Sequence, residues 1–156
     1  MQPHKPRRIL GIDFGMSRIG LALSDERQII ASPYQTLRSE KKGEATVLKL
    51  IALIGDIEKQ WGCCIEEIII GLPLMMNGKT GFLADEVKHF TALLAQSTLI
   101  PIKTWDERLT TVQAERSLRE SQMTRKKRAK VVDIVSAAII LQSYLDSKQS
   151  QFHMTH

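Results

Sequence analysis

Residues Arg7–Ser24, RRILGIDFGMSRIGLALS, decide how the rest of the chain is read. Two apolar runs, Arg7–Phe14 and Ile19–Ser24, flank a glycine-containing turn, Gly15-Met16-Ser17-Arg18. Short apolar runs bounded by turn residues predict two strands. Successive side chains of a strand point to opposite faces. Leu10, Ile12 and Phe14 therefore point one way, into a core, and Gly11, Asp13 and Gly15 the other. Aspartate is disfavoured in strands. Here it stands between residues with no side chain, which leaves room beside its carboxylate for an ion or a phosphate.

Working outward, Ile29–Leu37 reads as a third strand interrupted or bordered by Pro33, and three strands this close in sequence predict an antiparallel meander. Glu44–Trp61 carries Val47, Leu50, Ile51, Ile54, Ile57 and Trp61 at helical spacing. Glu66–Gly71 contains Ile68-Ile69-Ile70, the unbroken β-branched pattern of a central strand buried on both faces. Gly71–Gly81 reads as a substrate-facing loop, Phe82–Gln96 as a second helix and Leu99–Trp105 as a fifth strand. Thr110-Thr111-Val112-Gln113 fits a capping box, so a helix is expected from Thr110 to about Ser121, followed by a basic linker. Val131–Leu145 closes the series as a helix, with Val131, Val135, Ala138, Ile139 and Leu145 on its apolar face and a polar, fraying tail from Ser147. This order predicts an α/β protein with a mixed five-stranded sheet flanked by helices. The 156 residues suit a single domain, 1–156, with an ordered core of about 7–146.

A hydrophobic content of 43% suffices for one core, and 25% charged residues are ordinary for a soluble globular protein. No apolar run approaches the roughly 18 residues that a membrane span needs. Met1–Arg8 is basic, but Ile9–Phe14 is too short for a signal sequence, so a cytoplasmic protein is expected. Cys63 and Cys64, the only cysteines, make neither a disulfide framework nor a zinc site. The net charge of +5 is a mild pointer to nucleic acid; its distribution says more. Between Arg116 and Lys130, seven Lys or Arg face one acid, Glu120.

Two further acidic positions invite chemistry. In Trp105-Asp106-Glu107-Arg108, at the end of the fifth strand, Asp106 and Glu107 face opposite ways if the strand continues, so one face can offer only one of them. If that strand is parallel to the first, the chosen acid and Asp13 lie at the same sheet edge, where such sheets keep their sites. Asp133 opens a nearly all-apolar helix, where an unpaired carboxylate would cost several kcal/mol. Three carboxylates from the first strand, a late strand and a late helix suit a divalent cation such as Mg2+, which takes hard oxygen ligands. Two such ions suit phosphodiester hydrolysis.

At this point the chain resembles the YqgF family from about Arg8 to Asp146. The matching stretches are Gly11–Gly15 with Gly20-Leu21-Ala22, then Ile69–Leu74 with Gly78 and Gly81, Asp106–Thr111, and Val132-Asp133 with Ser136–Leu145. The resemblance implies a ribonuclease H-like fold. It implies a metal-dependent nuclease using Mg2+ or Mn2+, with Asp13, Glu107 and Asp133 as catalytic and metal-binding acids. Its substrate would be pre-16S ribosomal RNA or branched DNA, and a symmetric four-way junction would suit a homodimer. The expected phosphate contacts are Arg18, Lys79, Arg108, Arg125, Lys126, Lys127, Arg128 and Lys130. The family's glycine-rich loop has polar residues where this chain has Met75 and Asn77. Asp13-Phe14-Gly15 with Gly20 also resembles the phosphate-binding hairpin of the actin and sugar-kinase superfamily, which needs a second related domain. A regulatory nucleic-acid-binding protein without nuclease activity is the remaining alternative; clustered carboxylates argue against it, because they repel phosphate unless a cation intervenes.

Overall fold

The computed structural model describes residues 4–74, 77–78, 81–110 and 125–154, with the backbone alone for 125–133 and 151–154. In chain order the elements are β1 (Arg7–Phe14), β2 (Arg18–Ser24), β3 (Ala31–Arg38), α1 (Gly43–Trp61), β4 (Cys64–Leu72), α2 (Phe82–Ser97), β5 (Ile102–Asp106), a 3-10 turn (Glu107–Leu109) and α3 (Arg125–Met154). The strands form one five-stranded sheet in the order β3-β2-β1-β4-β5. The β1–β2 and β2–β3 pairs are antiparallel, and β1–β4 and β4–β5 are parallel. The mixed sheet expected from the sequence is therefore present, with β1 and β4 at its centre.

Alternation sorts the strand residues between two apolar layers. Leu10, Ile12, Ile19, Leu21, Ile68 and Ile70 pack with α1 and α2 through Leu50, Ile57, Phe90 and Leu94. Ile9, Ala22 and Ile69 pack on the other face with Ala137, Ile140, Leu141, Tyr144 and Leu145 of α3. Gly11 permits that second contact. A Cβ placed there would fall 2.7 Å from the Leu141 Cβ and 3.2 Å from the Ala137 carbonyl oxygen. Polar pins set the direction of α3. The Tyr144 hydroxyl donates to Glu67 near the start of β4, and the Trp105 indole donates to Ser143 Oγ (3.0 Å). Gln142 accepts from the Ala31 N–H and donates to the Ile29 carbonyl, both at 2.9 Å. With Tyr144 beside Glu67 and Ile140 beside Gly71, α3 runs antiparallel to β4, and its N-terminal half points past the carboxyl edge of the sheet.

Several expectations need correction. Residues 125–130 are helical, not a linker, and the helix continues through the polar tail to Met154. This follows from Arg, Lys and Ala in the first stretch and from the absence of Gly and Pro throughout. The buried side of α3 carries Ser136, Ala137, Ile140, Leu141, Tyr144 and Leu145, while Val135, Ala138 and Ile139 are half-buried. Ile29 and Ile30 precede β3, because the Asp25 carboxylate accepts both of their N–H groups (2.7 and 2.9 Å). Pro33 sits inside β3, which an edge strand tolerates. Trp61 is exposed rather than core, with the Arg8 guanidinium 5.0 Å above its ring. Gly71 belongs to β4 and not to the loop. Thr110 caps the end of the 3-10 turn, and the helix expected from Thr110 to about Ser121 falls, from 111 on, outside the described residues. Cys63 and Cys64 are free thiols, the first buried and the second exposed. Among the described residues, no helix is long and apolar enough to cross a membrane.

Candidate active site

Asp13 lies one residue before the end of β1, opposite Gly20 of β2, and is 3% exposed. It shares its face with Ile9 and Gly11, the face covered by α3. Two strands away, β5 pairs with β4 up to Leu72↔Asp106, and the chain then turns sharply. Asp106 spends its carboxylate on that turn. It accepts from the Arg108 N–H (2.9 Å) and from the Arg108 guanidinium (Nε at 3.0 and 3.1 Å, NH2 at 2.6 Å). The Arg108 side chain holds the Asp106 carboxyl below the usual carboxylate range, against an opposing effect of burial. The Thr110 hydroxyl and N–H both donate to the Glu107 carbonyl, at 2.8 and 3.0 Å, and close the turn.

Ending the strand at Asp106 frees Glu107 to point inward. It is 2% exposed, and its side chain lies over Gly71: a Cβ at Gly71 would stand 3.2 Å from Glu107 Cγ and 2.5 Å from Ile140 Cδ1. Gly71 follows Ile69 by two residues and so faces α3 as Asp13 does. The structure thus places Asp13 and Glu107 on one sheet face, at the carboxyl edge of three neighbouring strands. Asp133 lies in α3, one helical turn ahead of Ala137; its side chain is outside the described residues. Among the described residues, no group of three His, Cys, Asp or Glu forms a ready metal cluster.

Of the cationic candidates, Arg18 opens β2 directly opposite Arg38 of β3. Arg108 pairs with Asp106 and approaches the loop at Gly78, where its NH1 would stand 3.4 Å from an added Cβ. Arg125, Lys126, Lys127, Arg128 and Lys130 occupy the first turns of α3, and Lys79 lies outside the described residues. The sequence reading missed Thr36 and Arg38, which with Ser17 and Arg18 line a cleft of about 450 Å3. Only the register of β2 against β3 could have found them.

The family model described as RuvX, Holliday junction resolvase, matches residues 7–147. A protein of Protochlamydia amoebophila named "Putative pre-16S rRNA nuclease" is 74% identical over 144 residues, 92% of this chain and 96% of its own. A relative of the same name in Clostridium acetobutylicum is 44% identical over 140 residues, covering 90% and 98% of the two chains. Among solved structures, T. thermophilus RuvC in complex with Holliday junction substrate superposes with a TM-score of 0.55 at 13% identity, covering 92% of this chain and 96% of that one. That likeness is one of fold, and the fold is the ribonuclease H-like arrangement expected from the sequence.

Proposed function

The chain belongs to the RuvX family, and from that premise we propose that it is a cytoplasmic, metal-dependent nuclease that hydrolyses phosphodiester bonds in pre-16S ribosomal RNA during ribosome biogenesis. The observation that carries the reading is the pair of buried carboxylates, Asp13 and Glu107, on one face of the sheet at its carboxyl edge. Asp133 would extend the pair from α3. Ala137 lies against Gly11, two residues before Asp13, and the α-helical repeat carries the same stripe back one turn to Asp133.

The residues fit a divalent cation. Their donors are hard carboxylate oxygens, and the absence of a side chain at Gly71 lets Glu107 and Ile140 pack directly over β4, which sets where the Glu107 carboxylate is held. Bound by Asp13, Glu107 and Asp133, one or two Mg2+ or Mn2+ ions would polarise the scissile phosphate and stabilise the leaving oxygen. The protein's own part is positioning. Burial of Asp13 and Glu107 raises the strength of any charge interaction they make. Asp106 locks Arg108 and shapes the turn that aims Glu107 inward. Arg18, Arg108, Lys79 and the basic positions of α3, Arg125, Lys126, Lys127, Arg128 and Lys130, serve to attract the phosphate backbone. Cations at a helix N-terminus oppose the helix dipole, and a bound polyanion offsets that cost.

Branched DNA is the second reading, favoured by the description of the matching family model; a homodimer would then match the symmetry of a four-way junction. The test is a panel of labelled precursor RNA and four-way DNA junction, assayed with Mg2+ or Mn2+. Asp13→Asn, Glu107→Gln and Asp133→Asn should each abolish most cleavage while leaving circular dichroism and melting cooperativity intact. Near-normal turnover in any folded variant removes that residue from the set, and cleavage of the junction alone selects the second reading.

A further inference from the structure

The cleft lined by Ser17, Arg18, Thr36 and Arg38 opens on the sheet face that carries Asp13. The ladder places it: Asp13 pairs with Gly20, Gly20 with Thr36, and Arg18 with Arg38. Ile19 and Leu37, the intervening residues, pack into the opposite layer. Thr36, Arg18 and Arg38 therefore share the face of Asp13. Neighbouring strands lie about 4.8 Å apart, so Thr36 stands about 10 Å across the sheet from Asp13.

The β1–β2 turn is tied down at this point. The Ser39 N–H donates to the Ser17 carbonyl (2.9 Å), and Ser39 Oγ donates to the Gly15 carbonyl (3.1 Å). The turn is also tight: a Cβ at Gly15 would fall 2.5 Å from the Arg18 carbonyl oxygen. These contacts hold the turn, with Ser17 and Arg18, against the end of β3. Arg18 and Arg38 stand opposite each other on paired strands and both line the cleft, and guanidinium forks match phosphate oxygens with two parallel hydrogen bonds.

The geometry points to a phosphate subsite in which Ser17, Arg18, Thr36 and Arg38 hold a backbone phosphate neighbouring the scissile one. The subsite fixes the register of the substrate strand over Asp13. This inference rests on the nuclease reading, and it adds to that reading the strand's path, from the acids across β2 to the open edge of the sheet.

The test uses the full-length protein with Ca2+ in place of Mg2+, and measures binding of labelled single-stranded RNA and four-way DNA junction across a salt series. Arg38→Gln, a change at an exposed strand end, should weaken binding and lower the slope of log K against log salt by about 0.7–0.9, the value for one lost phosphate contact. Arg38→Lys should restore the slope, because it keeps the charge, and Thr36→Val should weaken binding without changing the slope. Single methylphosphonates stepped along the strand locate the contact. One position beside the cleavage site should weaken wild-type binding and have no effect on Arg38→Gln. If wild type binds and cleaves while Arg38→Gln keeps the same slope and the same methylphosphonate profile, the subsite is refuted and the nuclease reading stands. If wild type neither binds nor cleaves either substrate, both fall. Arg38-dependent binding of inorganic phosphate with an unchanged oligonucleotide profile would show a site for a free anion and overturn the inference.

Discussion

A methyl group added at Gly11 meets α3 where the helix cannot yield. The new Cβ would stand 2.7 Å from the Leu141 Cβ and 3.2 Å from the Ala137 carbonyl oxygen, while carbon atoms prefer roughly 3.5–4.0 Å. Both opposing atoms are fixed by the helix backbone, so no rotamer change relieves the clash. The helix must lift by about 1 Å across its contact with Ile9, Ile69 and Ala22. Overpacking of this kind costs about 1–3 kcal/mol, and the rigid partners place Gly11→Ala in the upper part of that range, about 2–3 kcal/mol. For a chain of this size each kcal/mol lowers Tm by about 2–4 °C, so the expected loss is about 4–12 °C. Urea unfolding followed by tryptophan fluorescence measures it, since the Trp105 indole is bonded to Ser143 of α3 and packs against Tyr144. Leu141→Ala in the same background should not rescue stability, because the offending Cβ remains. Gly71→Ala supplies the contrast. Its nearest neighbour is the tip of Ile140, which can swing away, and the next is Glu107 Cγ. That variant should lose less stability and more nuclease activity. A Gly11→Ala protein within about 0.5 kcal/mol of wild type, or one rescued by Leu141→Ala, would refute this account of how α3 docks.

Two further outcomes follow from the site. On the proposed reading a divalent cation binds only the folded state, so Mg2+ or Mn2+ at a hundredfold excess over Kd should stabilise the protein by about 2.7 kcal/mol. Asp13→Asn should shrink that response in thermal melts at constant ionic strength, and an equal response in both proteins removes Asp13 as a ligand. Asp106 has a depressed folded-state pKa, set first by the Arg108 side chain, so its pairing stabilises the fold above its ordinary value of 3.8 and is lost as pH falls through the lower folded value. The stability gap between wild type and Asp106→Asn should therefore be flat from about pH 5 to 7 and close below about pH 4. At neutral pH Asp106→Asn should retain far more cleavage than Glu107→Gln; the reverse order would exchange their roles.

Local pattern carried much of the architecture. β-branched runs, turn glycines and helical spacing are short-range signals, and they determined the order of three strands, helix, strand, helix and strand, with β1 placed to the residue. Alternation alone assigned Asp13 to a face flanked by Gly11 and Gly15, because a strand's period is two whatever packs against it. The side of α3 that faces the sheet was beyond such signals. Residues 131–141 are apolar almost all round, so periodicity has little contrast, and the two glycines that receive the helix, Gly11 and Gly71, lie far away in sequence. The choice between Asp106 and Glu107 turned on where β5 ends, and a side chain hydrogen bonded to its own turn ends it. The basic run and the polar tail read as linker and frayed end because residues 125–130 and 147–154 present no apolar stripe; the packed middle of α3 nucleates a helix that good helix-formers then extend in both directions. The cleft of Arg18 and Arg38 needed the register of two strands, which a turn and an edge contact set only after folding. Patterns within one element are local and legible; which element covers which face, and which distant charges become neighbours, are decided by the packing of all elements at once.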